Sequence, residues 1–145
     1  MPDTLTLEDA QRIVEVALAE SNRRGAKTAV AVVDGHGDLI LVARLDGARD
    51  YYPDVAYGKA MSAALFEDLS RNAGRLVDDA NPAQRRVLSS IQQRVNQLNG
   101  DSVVYAPGAV PLRRGDLVIG AVGVGGSGGD SDEEIATLAA RVLDE

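Results

Sequence analysis

Cysteine and tryptophan are absent from the 145 residues, and histidine and phenylalanine occur once each. Without cysteine the chain forms no disulfide, offers no thiolate nucleophile and holds no thiolate-ligated zinc or iron–sulfur centre. One histidine, His36, leaves a single copy unable to supply a His-Glu-x-x-His zinc helix or bis-histidine haem ligation. The only other aromatic residues are four tyrosines, too few for the stacking platforms that single-stranded nucleic acids use. Positive charge is short as well: 15 Lys and Arg stand against 22 Asp and Glu, a net charge of −7. That sign repels phosphate backbones and anionic lipid, so neither nucleic acid nor a membrane surface is expected as a partner. No run of about 18 apolar residues occurs, and the first six residues lack the basic-then-apolar pattern of a secretion leader. A cytoplasmic location is the expectation.

What the chain does have is regular apolar periodicity from end to end, with 45% hydrophobic residues, and no linker or low-complexity stretch. One domain spanning 1–145 is expected. Ala10, Ile13, Val14, Ala17 and Leu18 fall on one helical face between Leu7 and Arg24, with Thr6 as N-cap and Gly25 at the stop. Two apolar runs, 28–33 and 39–43, flank the glycine-bearing turn Asp34-Gly35-His36-Gly37-Asp38 and predict a β-hairpin. Both runs are almost continuously apolar, which calls for a helix on one face and a helix or a partner subunit on the other.

A helix with a narrow face of small residues follows from about Pro53 to Phe66, then a second helix from Asn81-Pro82 to about Gly100. The last third reads as three strands, 102–106, 110–113 and 117–124, separated by Pro107-Gly108 and Gly115-Asp116 turns, and a closing helix from about Ser131 to Leu143. The order helix, hairpin, helices, three-strand meander, helix does not alternate strand with helix. It therefore predicts an α+β fold with a five-stranded antiparallel sheet.

Among the residues that could carry chemistry, Gly123-Val124-Gly125-Gly126-Ser127-Gly128 fits the dinucleotide pattern G-x-G-x-x-G. Asp130, Asp132, Glu133 and Glu134 crowd the helix that follows, where they complement the helix dipole and would repel a pyrophosphate. The segment is better read as an acidic-capped turn, or as a lid whose backbone amides, at Gly126 and Ser127, face a small ligand. Lys59 stands in a helix of mostly apolar neighbours, so its ammonium must reach outward, pair with a carboxylate or face a ligand. Arg44 and Asp46 end the second strand of the hairpin. With Tyr51, Tyr52 and Lys59 they could surround one cavity suited to a carboxylate-bearing molecule, the alternative being a salt bridge from Arg44 to Asp46 or Asp54 that fixes the loop. His36 is either an exposed turn residue or a metal, haem or general-base group.

Val32-Val33-Asp34-x-x-Gly37-x-Leu39, Ala43-Arg44-Leu45-Asp46-Gly47-Ala48, and Gly58-Lys59-Ala60 with Ala63-Ala64-Leu65-Phe66 appear in order. Pro107-Gly108-x-x-Pro111-Leu112, Gly120-Ala121-Val122-Gly123-Val124 and Gly126-x-x-Gly129-x-x-Asp132-Glu133 complete the series. Together they resemble the GlcG/HbpS family, which includes the C-terminal domain of PduO-type corrinoid adenosyltransferases. The resemblance implies a profilin-like fold, symmetric homo-oligomers, and a small-ligand site at Arg44, Asp46, Lys59, Gly126 and Ser127. Haem is a ligand of some relatives; here His36, Tyr51, Tyr52 or Met61 would have to ligate it, with Arg44 or Lys59 meeting its propionates. Two functions follow as expectations. One is a binding protein for a small anionic metabolite or a tetrapyrrole. The other is a cofactor-independent lyase, isomerase or hydrolase on a small carboxylate or carbonyl substrate, with Tyr52 or Lys59 as acid or base and Arg44 orienting the carboxylate.

Overall fold

The computed structural model describes residues 4–72, 82, 83, 85, 86, 89, 90, 93 and 106–144. Helix α1 (Leu7–Arg23) begins where the sequence places it, because Thr6 and Asp9 form a capping box. The Thr6 hydroxyl accepts the Asp9 N–H at 3.0 Å, and the Asp9 carboxylate accepts the Thr6 N–H at 3.2 Å, satisfying two backbone donors that the first turn leaves open. Strands β1 (Ala29–Asp34) and β2 (Leu39–Arg44) form the antiparallel hairpin. Asp34 fixes its turn by accepting the N–H groups of His36 and Asp38 on one carboxylate oxygen. Helix α2 (Tyr52–Phe66), strands β3 (Ala109–Arg114) and β4 (Leu117–Gly125), helix α3 (Gly129–Ala140) and a 3-10 turn (Arg141–Asp144) follow.

All described pairings are antiparallel, and the strand order is β2-β1-β4-β3. The hairpin therefore pairs through β1 with a strand more than 80 residues away, a long-range choice that local periodicity does not reveal. The described residues give a four-stranded α+β sheet. The fifth strand expected at 102–106 lies, but for Ala106, outside the described residues. The helix expected from Asn81 to Gly100 is described only at scattered positions between 82 and 93, all of them helical.

Side-chain alternation divides β1 between two cores. Val30 and Val32 join Val122 and Val124 of β4 against Ile13 and Val14 of α1 and Ile135 of α3. Ala29, Ala31 and Val33 join Ala121 of β4 against Ala56, Ala60, Ala63 and Ala64 of α2. The first layer is built from branched side chains, the second almost wholly from alanine, so α2 lies unusually close to the sheet. Gly123 completes that approach: a Cβ at this position would overlap the Ala56 carbonyl oxygen and come within 2.8 Å of the Ala60 amide nitrogen. Edge strand β2 is less covered, with Leu39 and Val42 exposed.

Candidate functional site

Helix α2 is apolar nearly all round, and its buried residues include Lys59, only 3% exposed. The side chain runs toward the carboxyl end of β4 and the start of α3. There its Nζ donates to the Val124 carbonyl and to Oδ2 of Asp132, both at 3.2 Å. Room for the ammonium comes from Gly108, where a Cβ would lie 2.6 Å from Nζ. Burial pushes the Lys59 pKa down from its usual value, and the Asp132 carboxylate opposes that shift by Coulomb attraction and hydrogen bonding.

Asp132 is held from its other side by the glycine turn. Its Oδ1 accepts the Ser127 N–H at 2.8 Å and the Ser127 hydroxyl at 2.5 Å. Both carboxylate oxygens are thus engaged, one by the turn and one by the lysine. A buried charge pair survives only when its remaining bonding capacity is met in this way. The turn itself depends on positive φ at Gly126 (124°) and Gly128 (95°), a region L side chains enter at a steric cost.

Beside this pair opens a cavity of about 250 Å³, lined by residues that include Tyr51, Tyr52, Val55, Lys59, Gly126 and Asp132. The two tyrosine rings meet edge to face, with centroids 5.0 Å apart, which gives the cavity a stiff amphipathic wall. Gly128 and Gly129, at the amino-terminus of α3, contribute to the lining. Asp130 and Asp132 in its first turn offset the partial positive charge of that helix end.

Of the residues singled out from the sequence, Tyr51, Tyr52, Lys59 and Gly126 converge on one cavity, with Ser127 one bond behind it on Asp132. Arg44 and Asp46 are exposed and lie outside the lining, and among the described residues they form no ion pair with each other. His36 sits exposed at the β1–β2 turn and borders other hollows. One of these, of about 230 Å³, it shares with Tyr57, Met61 and Leu65. Among the described residues no group of three or more His, Asp or Glu could hold a metal ion.

Asp132 is the site residue that sequence reasoning passed over, because an acid in the first turn of a helix already has a reason to be there. The available signal was the buried lysine, whose charge requires a carboxylate somewhere in the chain.

A family model described as haem degrading protein HbpS-like matches residues 5–141. The chain is 27% identical over 142 residues to an uncharacterised 15.0 kDa protein from the dhaT-dhaS intergenic region of Citrobacter freundii, covering 98% of this chain and 94% of that one. Its structure is similar to that of a double mutant of Streptomyces reticuli HbpS, with a TM-score of 0.75 and 28% identity over 97% of this chain and 87% of the other. It also resembles the structure of a PduOC–haem complex, with a TM-score of 0.73 and 23% identity over 96% and 94% of the two chains. The chain belongs to the HbpS-like family.

Proposed function

We propose that the protein binds a small anionic metabolite in the cavity between Tyr51, Tyr52, Lys59 and the glycine turn. The observation that carries this reading is a nearly buried ammonium lining a cavity of about 250 Å³. A lysine buried only to fasten two helices has no need of such a space at its side. Its size suits a molecule of a few carbons, since pockets for drug-sized ligands start at roughly 300 Å³. The Lys59 ammonium supplies a positive charge that Asp132 offsets, so recognition rests on the directional hydrogen bonds that Lys59, the tyrosine hydroxyls and the glycine amides offer. Arg44, outside the lining, has no part in it.

The test is a melting-temperature screen of short carboxylates and hydroxy acids. A saturable rise for the native protein, with affinity falling at least about tenfold in Lys59→Gln, supports the reading, a loss of that size being usual for a charged hydrogen bond. No rise with any of them defeats it.

Membership of a family described as haem degrading supports a tetrapyrrole as a second reading. The cavity beside Lys59 holds Tyr51 and Tyr52 as candidate axial ligands and Lys59 for a propionate, but at about 250 Å³ it is too small for a tetrapyrrole. The hollow shared by His36, Tyr57, Met61 and Leu65 supplies an imidazole and apolar walls, but no Lys or Arg among its lining residues for the propionates. A saturable Soret shift with haemin that vanishes in His36→Ala would favour this hollow. A native protein that leaves the haemin spectrum unchanged removes haem from consideration.

Two further features belong to the same proposal. The exposed Leu39 and Val42 on β2 suit burial in a homo-oligomer. A cytoplasmic location is part of the same proposal.

A further inference from the structure

The 145 residues include thirteen arginines and only two lysines. Every exposed or half-buried cation in the described ion pairs, from Arg12, Arg23 and Arg24 on α1 to Arg71, is an arginine. Among the described residues the one buried cation is a lysine, and the other lysine, Lys27, lies on the surface. Arginine is the better residue for a fixed ion pair, having a planar fork of donors and no accessible neutral form. A primary amine differs in one chemical respect that matters here: it can give up a proton and attack carbon.

From this placement we infer that Lys59 forms an imine with a small aldehyde or ketone lodged in the cavity, an inference that rests on the binding reading above and names its ligand class. Asp132 lies within hydrogen-bond distance to take the proton from Nζ. The neutral amine adds to the carbonyl carbon, forming a C–N bond, and the proton lost from nitrogen passes to the carbonyl oxygen, giving a carbinolamine. Protonation of its hydroxyl by Asp132 releases water as the nitrogen lone pair closes the C=N bond. The products are a protonated imine, a carboxylate and one water, so charge and atoms balance. Burial, which already lowers the proton affinity of Lys59, favours the neutral nucleophile. Ser127 and the Val124 carbonyl hold the carboxylate and the amine in register before the ligand enters. The size of the cavity admits a carbonyl compound of a few carbons.

The experiment incubates the native protein with hydroxyacetone and sodium cyanoborohydride, then maps the adducts by peptide mass spectrometry. Lys59, Lys27 and the amino-terminus are the only primary amines, so every site is read in one digest. The expected result is an adduct on Lys59 that accumulates at least about tenfold faster than on Lys27, its rate levelling off at lower pH, as a buried amine requires. Modification of Lys27 with Lys59 left bare overturns the inference. In that event lactate, which has no carbonyl to condense, separates the two failures. A saturable melting-temperature rise with lactate, lost in Lys59→Gln, leaves the binding reading standing without the imine. No rise brings down both.

Discussion

Nζ of Lys59 and Oδ2 of Asp132, 73 positions apart in the sequence, meet at 3.2 Å with both side chains more than nine-tenths buried. This contact ties α2 to α3 across the end of β4 and places the only buried ammonium among the described residues at the cavity. Removing one partner leaves the other charged in a low-dielectric setting. Asp132→Ala is therefore expected to lower the unfolding free energy by about 3–5 kcal/mol, whereas Lys59→Met with Asp132→Ala together should cost clearly less than the two changes summed. Urea denaturation of the four proteins of this cycle measures the coupling. Strictly additive losses would show that the pair is not a unit.

The alanine layer makes a second expectation. Gly123 faces the backbone of α2 with no space for a methyl group, and the helix cannot retreat without opening the contacts of Ala56 and Ala60 with the sheet. Gly123→Ala should destabilise the fold by roughly 1–3 kcal/mol, the usual range for overpacking. The urea midpoint reports it. Gly25→Ala is the comparison, since its positive φ of 71° carries backbone strain while nothing lies within 4 Å of the added carbon. A larger loss at position 25 than at 123 would contradict the close-packing account.

Acid stability should depend on Glu20. Hydrogen bonds from Arg23 and then Arg24 hold its carboxyl down at about 2, against 4.5 when free. The folded state thus binds the proton less readily than the unfolded chain. The resulting stabilisation is present above about pH 4.5 and is lost as the pH falls toward 2. Glu20→Gln should be less stable than the native protein at neutral pH and converge with it in strong acid. Urea midpoints at several pH values between 2 and 7 measure the convergence. Because Arg24 also reaches Ser131 and Glu134 on α3, the same variant should loosen the α1–α3 contact, visible as faster amide exchange there.

Helix α2 ends on a residue that resists its own conformation. Glu67 adopts φ 55° and ψ 38° as the C-cap, the one described non-glycine residue with positive φ. Glycine enters this region without the steric penalty a Cβ brings. Glu67→Gly should stabilise the protein or leave it unchanged, by up to about 1 kcal/mol, despite the added freedom of the unfolded chain. The Arg113 side chain donates to the Glu67 carbonyl, a bond that survives the substitution. Thermal melts of the two proteins provide the comparison.

Much of this architecture can be read from local pattern. Thr6 announces the start of α1, the turn around His36 announces the hairpin, and the alanines of α2 announce a helix that packs closely on something. Glycines at 123, 125 and 126 mark where backbone must come near, though not what it comes near. For the candidate site, the family resemblance names Arg44, Asp46, Lys59, Gly126 and Ser127, of which Lys59 and Gly126 line the cavity, and the two tyrosines stand next to each other at the start of α2.

What the residues determined by themselves is whatever depends on neighbours a few positions away, such as capping, periodicity and turn chemistry, together with the demand that a lysine among apolar residues find a counter-charge. Which carboxylate answers it could not be read locally. Four acids, Asp130, Asp132, Glu133 and Glu134, stand within five positions of one another in the first turns of α3, and only Asp132 is buried. Tertiary structure made that choice, and it also left Arg44 at the surface. Helices α2 and α3 pack on opposite faces of the sheet, and at the carboxyl end of β4 a single side chain of the right length closes the gap between them.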